Sequence, residues 1–403
     1  MAVRPSRRDE FEIAVVCALP LEFDAAALAF DEFWDDEGDT YGKAPGDTNS
    51  YTTGRIGPYN VVLSLLSTMG KVSAAGAASS LRSSYTGLRL ALLTGICGGV
   101  PNPRTDDEVL LGDVVVSKTV VQYDYGRQYP GAFVRRDTVD DNLGRPNKDI
   151  RALVESFRTD LGRERLHRGA SLVLGQIREN AAKKRRRARY NRPDASEDTL
   201  FEPGYEHKHR DRSDCECGGG EHACEAARAA ACSELRCDTA RLVRRDRLDD
   251  MFESEPADHF EIHVGCVGSG DMVMKSGLDR DRIARDQGLI AFEMEGAGMW
   301  DEVPCIVVKG VCDYADSHKN KKWQTYAAAT AASVMKALLG RYIQTDRPPA
   351  GDRNETDQSS TPSAVPATPS GVSGPVFHGP ITGKHVVAGQ HTSGGTTNMN
   401  FGG

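Results

Sequence analysis

Between Phe11 and about Gly340, short apolar runs alternate with helix-prone stretches, and this alternation constrains the chain more than any other feature. The run Phe11–Leu19 (FEIAVVCAL) is too short for a buried helix and is rich in Ile and Val, so it reads as a buried strand. Tyr59–Ser67, Leu88–Gly95, Asp113–Lys118, Ile262–Val267, Leu289–Phe292 and Pro304–Val311 read the same way. Leu21–Phe30 predicts a helix, as do the Ala-rich stretches Val72–Arg82 and Trp323–Arg341, whose composition has high helix propensity. Strands alternating with helices predict a layered α/β architecture around one largely buried sheet.

Composition narrows the function classes. The 403 residues carry a formal charge of −8, so the whole chain offers no basic field for nucleic acid or an anionic membrane. The longest apolar stretches, Ile13–Leu19 and Val61–Leu66, fall far below the roughly 18 residues of a membrane span. Arg4, Arg7 and Arg8 lead into a short apolar run without a small-residue cleavage site, so the expectation is a reduced, cytoplasmic compartment and not secretion. Two regions break the α/β rhythm. Residues from about 176 to 250 are charged and Cys-rich and have few apolar residues to seed a core, which predicts an insertion on the same domain. From about 344 to 373 the chain is rich in Asp, Ser, Thr and Pro and predicts a disordered linker. The expected organisation is therefore an α/β domain over 1–343, the linker over 344–373, and a distinct tail over 374–403.

Carboxylates stand where strands end, which is where open α/β sheets build their sites. Glu22 follows the first strand in Cys17-Ala18-Leu19-Pro20-Leu21-Glu22. Glu293, Met294 and Glu295 open a small-residue helix after Phe292, and Asp313 follows the strongly apolar Ile306-Val307-Val308. Thr94-Gly95-Ile96-Cys97-Gly98-Gly99 suits close approach of backbone amides to a ligand, but its spacing is not that of a phosphate loop. Singly, each carboxylate also reads as a helix-terminal or turn residue, and Cys97 as a packing thiol.

The order and company of the motifs decide between these readings. Cys17–Glu22, Met69-Gly70-Lys71-Val72, Thr94–Gly99, Gly112-Asp113, Gly268-Ser269-Gly270-Asp271, Phe292–Ala297 and Asp313–Ala315 together resemble the nucleoside phosphorylase/nucleosidase superfamily. Phe292–Gly298 and Gly310–Lys321, with Arg192-Pro193, Asp198–Phe201 and Tyr205-Glu206-His207, are similar to its fungal branch of NOD-like-receptor-associated effectors. The resemblance covers about Phe11–Leu339. It implies a three-layer fold around a central mixed, partly closed sheet, a homo-oligomer, no cofactor, and cleavage of a purine N-glycosidic bond. By the same resemblance Asp313 protonates purine N7, Glu295 holds the ribose hydroxyls with Met294 beneath the sugar, and Glu22 orients or deprotonates the attacking water. Thr94, Cys97, Gly98, Gly70, Glu293 and Val273 are expected to line the substrate. Val273 stands where related nucleosidases place a Phe.

Phosphorylases of this superfamily carry phosphate-binding Arg residues where this chain has Pro20-Leu21-Glu22 and Leu92-Leu93-Thr94, so a nucleosidase is expected. Related immune effectors cleave ATP, and Arg192 and Lys319 are the expected phosphate contacts, with the basic run Lys183–Arg189 as a weaker candidate. The competing readings are a phosphate-dependent phosphorylase and a catalytically idle signalling adaptor. Cys215, Cys217, His222, Cys224, Cys232 and Cys237 are a candidate structural zinc set, although their spacing is not a paired CxxC pattern. In the tail, Val376-Phe377, Ile381 and Val386-Val387 separated by glycines suit a stacked cross-β layer. On a linker after such a domain, the tail resembles fungal amyloid signalling motifs, which implies a NOD-like receptor partner carrying a matching motif.

Overall fold

The computed structural model describes residues 4–36, 38, 41–103, 108–210, 215, 217, 223–249 and 259–342. These lie in one compact unit, Met1–Gln344. The linker and tail expected over 344–373 and 374–403, and His222, lie outside the described residues.

The elements run in chain order as β1 (Ile13–Cys17), α1 (Pro20–Ala27), β2 (Glu32–Phe33), β3 (Tyr51–Ile56), β4 (Tyr59–Leu65), α2 (Lys71–Ser84), β5 (Leu90–Gly99) and β6 (Val114–Gln122). A short hairpin follows, β7 (Gly126–Tyr129) and β8 (Ala132–Arg135), then α3 (Lys148–Ser156), α4 (Asp160–Lys183) and α5 (Glu225–Ala229). The chain continues through β9 (Ile262–Ser269), α6 (Gly277–Gln287), β10 (Leu289–Glu293), α7 (Gly296–Trp300), β11 (Cys305–Asp313) and α8 (Gln324–Leu339).

Among the described residues, nine strands form one mixed sheet in the order β10-β9-β6-β11-β5-β1-β4-β3-β2. β1 pairs in parallel with β4 and β5, and β11 pairs in parallel with β5 but antiparallel with β6. The sheet closes on itself where β10 meets β5, with Ala291 opposite Gly99 and Phe292 opposite Gly98. The expected partly closed sheet is thus a ring of β5, β11, β6, β9 and β10 with an open wing of β1 to β4. Every residue of β1 and β11 is buried, as apolar strands covered on both faces must be.

One face carries α1, α4 and the nearly all-buried α8, whose Ala-rich sequence lets it lie close against the sheet. α2 and α7 cover the other face, where Ala74, Ala78, Leu81 and Met299 pack on β1, β4 and β5. The structure moves the start of the Cys-rich excursion. Leu166, Ala170, Val173, Leu174, Ile177 and Ala181 of α4 belong to the main core, so the helix continues through the expected boundary at 176 to Lys183. Apolar residues every three or four positions bury one stripe of that otherwise charged helix. Among the described residues, no helix is long and apolar enough to cross a membrane.

Candidate active site

A cavity of about 250 Å³ opens at the carboxyl ends of β1, β10 and β11, beside the Gly-rich end of β5. It lies near the small end of ligand pockets, typically roughly 300–1,000 Å³. Glu22, Cys97, Gly98, Val273, Glu293, Met294, Glu295, Asp313 and Lys319, all expected at the site, line it together.

Glu22 stands in the first turn of α1, which Pro20 begins, and turns back over the end of β1. Its Oε2 accepts from the backbone N–H of Ala18 (2.8 Å) and Leu19 (2.9 Å), and its Oε1 accepts from Ile96 N–H (2.7 Å). The approach to β5 is possible because residue 95 is glycine. A Cβ there would lie 2.1 Å from Glu22 Oε1. Glu293, at the end of β10, accepts from the N–H groups of Glu295 and Gly296 and so fixes the start of α7. Glu295 Oε1 accepts from Gly70 N–H at 3.3 Å, which is how Gly70 serves the site without lining the cavity.

The carboxylates meet a lysine that the sequence reading did not single out. Lys309 Nζ, buried in β11, lies 3.3 Å from Glu295 Oε2 and 4.0 Å from Glu22 Oε1. Burial disfavours its charge, but Glu22, then Glu295 and Glu293, outweigh that cost and hold the ammonium above the usual lysine range. For Glu293, burial first and Glu295 second push the carboxyl up, with Lys309 pulling the other way. The signal was in the sequence: Lys309 interrupts the otherwise apolar Cys305–Val308 and Gly310–Cys312, and a charge inside a buried strand requires partners.

Asp313 ends the same strand. Its Oδ1 accepts from Ala315 N–H (2.9 Å), and Cys312 Sγ lies 3.4 Å from its Oδ2. Ala315 has a φ of 52°, a left-handed conformation that an L residue adopts at a cost of about 1–2 kcal/mol and that here turns its N–H back onto Asp313. Lys319 Nζ, from the following loop, is 3.2 Å from Asp313 Oδ2. β5 spaces the two ends of the site. Glu22 packs on Gly95, and Gly98 faces Asp313, whose Oδ1 would lie 3.0 Å from a Cβ there. Gly95 and Gly98 are three residue rises apart along the strand, about 10 Å.

Three further expectations are placed differently. Thr94 is buried in β5 outside the lining. Arg192 does not line the cavity; its guanidinium stands 5.6 Å over the Trp323 ring. Lys183 and Arg186, of the basic run, face Glu179 and Asp24. Cys97 lines the cavity, where burial pushes its thiol up, as for a packing residue. Asp113, part of the Gly112-Asp113 motif, is structural: it takes Arg247 at 2.5 and 2.8 Å and His263 at 3.0 Å, away from the cavity. Phe292 adds an aromatic ring to the lining, and Met69, Met272 and Val273 form a half-exposed apolar rim. The five cysteines do not share one centre. Cys215, Cys217 and Cys224 gather on His209, and Cys232 and Cys237 on His207.

Residues 12–199 match the family model described as the phosphorylase superfamily. Over those residues the chain is similar to the phosphorylase superfamily. Over 344 residues it is 33% identical to a nucleotide-binding leucine-rich repeat (NLR)-like protein of Hyaloscypha variabilis, covering 83% of this chain. The chain spans only 30% of that relative's length. The chain is also similar to a 5′-methylthioadenosine/S-adenosylhomocysteine nucleosidase from Neisseria meningitidis solved with methylthio-immucillin-A (14% identity, 81% of this chain and 98% of that one, TM-score 0.45). For the futalosine hydrolase of Helicobacter pylori the corresponding figures are 15%, 82%, 98% and 0.47.

Proposed function

We propose that the domain is a purine nucleosidase that hydrolyses the N-glycosidic bond of adenosine nucleotides, ATP foremost. The observation that carries this reading is that Glu22 and Glu295, bridged by the buried Lys309, line one cavity with a separate carboxyl, Asp313. Two carboxyl groups in opposed roles are the general solution to glycoside cleavage.

In this mechanism Asp313 gives its proton to purine N7 as the C1′–N9 bond breaks and its electron pair passes to the base. Water forms the new bond to C1′ from the opposite side and releases its proton to Glu22. The three N–H groups on Glu22 hold its oxygens in place, so it acts from a fixed position. Glu295 accepts from the ribose hydroxyls, with Met294 beside the sugar. Lys309 compensates both buried carboxylates and locks their spacing. A phosphate dianion in place of water would meet Glu22, and the nearest cation is already committed to two carboxylates, which supports hydrolysis over phosphorolysis. Phe292 is the aromatic ring that rests against the base, a role Val273 does not fill.

The nucleotide part of the proposal is supported by the family resemblance and by Lys319, the lysine in the described lining. A substrate phosphate competes with Asp313 for that ammonium. A second reading, a nucleoside with an uncharged 5′ group, is favoured by the apolar rim of Met69, Met272 and Val273. The NLR-like name of the Hyaloscypha relative supports an effector role triggered by a receptor. In that role the tail over 374–403 stacks on a matching receptor motif and concentrates the domains as a homo-oligomer along a fibril.

The test is incubation of the full chain with ATP, AMP, adenosine and 5′-methylthioadenosine, with and without phosphate. Free adenine plus a ribose 5-phosphorylated sugar, formed without phosphate, is the expected result. Ribose 1-phosphate products would make the domain a phosphorylase, and turnover confined to the uncharged nucleosides would establish the second reading. Turnover of none of the four, in assembled protein, would leave the adaptor.

A further inference from the structure

Outside the cavity, one cluster of side chains has a geometry that hydrogen bonding does not explain. His209 Nδ1 lies 3.4 Å from Cys215 Sγ, 3.6 Å from Cys224 Sγ and 3.8 Å from Cys217 Sγ. All four atoms fall within 4.8 Å of one another. A single ring nitrogen carries at most one proton and so satisfies at most one of three thiols. One cation at the centre satisfies all of them. Zinc bound tetrahedrally by sulfur at about 2.3 Å and imidazole nitrogen at about 2.0–2.1 Å sets S···N separations of about 3.5 Å. The observed distances bracket that value.

We infer that His209, Cys215, Cys217 and Cys224 bind one structural zinc ion. Three cysteines and one histidine close a tetrahedral shell and leave no open position for substrate, which makes the site structural and not catalytic. Backbone amides already point at the sulfurs as a metal-thiolate centre requires. Cys224 N–H donates to Cys217 Sγ (3.2 Å), and Ala227 N–H, in α5, donates to Cys224 Sγ (3.4 Å). The segment also needs a staple. The apolar cluster there is Cys217, Ala227 and Leu235 with a few half-buried neighbours, too little to order a charged excursion by burial.

The cluster lies near the active-site loop in space, though about a hundred residues from it in sequence. His207, two residues before the ligand His209, donates its N–H to Ser317 Oγ (3.1 Å), and His318 stacks on Phe201 with ring centroids 4.1 Å apart. Ser317 and His318 lie between Asp313 and Lys319. Zinc therefore fixes the excursion that the loop carrying Lys319 leans on.

The experiment uses the full chain purified without chelator. Elemental analysis should find about one zinc per chain, and cobalt exchanged for it should show tetrahedral d–d bands with sulfur-to-cobalt charge transfer. The ion should be lost in Cys217→Ser and Cys224→Ser and kept in Cys232→Ser and Cys237→Ser. His209→Cys, which retains four donors, should keep the metal with a shifted cobalt spectrum, so a folded comparison exists even where the serine variants fail to fold. Titration of wild type with a mercurial should release that zinc as the thiols react. A protein that takes up no zinc when reduced and supplied with it overturns the inference. So does metal retained in Cys217→Ser but lost in Cys232→Ser, or a disulfide among Cys215, Cys217 and Cys224 in the reduced preparation. None of these readouts depends on catalysis, so the result stands apart from the proposed activity.

Discussion

The carboxylate end of the cavity and the Cys-rich excursion are both polar, yet they are held in opposite ways. Glu22 and Glu295 stand on the helix turns that follow β1 and β10, Lys309 stands in the middle of the buried strand β11, and each is nearly inaccessible. Their charges compensate one another inside a core that was going to fold anyway. The excursion from Lys184 to about Asp249 has little apolar surface and relies on specific side chains: thiols gathered on histidines, Arg245 on Glu108, and Arg247 on Asp113. The difference teaches that a site can be rigid by borrowing rigidity from a sheet or by building it locally from strong polar contacts. The first loses function long before it loses fold. The second loses local structure first.

The largest effect expected is on catalysis in the first region. Asp313→Asn should lower kcat by about 10²–10⁴ while the melting temperature stays near wild type, because Asn keeps the shape and the bond from Ala315 N–H but delivers no proton. A wild-type rate in that variant would break the mechanism. Lys309→Met should be the most destabilising substitution in the region. It leaves Glu22 and Glu295 buried without their ammonium, at a cost of about 3–5 kcal/mol by urea unfolding, and Lys309→Met/Glu22→Gln should recover part of that loss. Equal stability of the single and double variants would mean that the lysine does not couple the carboxylates.

A smaller effect, in acid, separates the two regions. Burial opposes the Asp113 charge, but Arg247 and then His263 more than offset it and hold the carboxyl far below its ordinary range near 3.9. A depressed folded pKa means that the stabilisation is complete above about pH 4 and is lost as pH falls below it. Asp113→Asn should therefore unfold more easily at pH 7 than wild type and show a flatter stability profile below pH 4. The same acid slope in both proteins would assign the loss to other carboxylates. Smallest of all, Phe292→Leu should raise KM a few-fold with kcat little changed, since it trims contact with the base without touching the proton donors. An unchanged KM would remove Phe292 from the binding surface.

By itself the sequence determined what is local. Branched apolar runs fixed the buried strands β1, β4, β5, β9 and β11, because a strand covered on both faces must read as continuous hydrophobicity. The motifs after those strands marked Glu22, Glu295 and Asp313, since side chains at strand ends face a crevice whatever the rest of the fold does. The short polar strand β3 and the hairpin β7–β8 gave no such signal, because half-exposed strands carry weaker patterns. Tertiary structure decided everything that joins distant parts of the chain. It closed the sheet through Gly98–Gly99 against Ala291–Phe292, placed Lys309 between two carboxylates that stand 287 and 14 residues before it, set Arg192 over Trp323 outside the cavity, and divided five cysteines between two histidines. Spacing along a chain limits which residues can meet, but the meeting is fixed only when the sheet's register brings their backbones together.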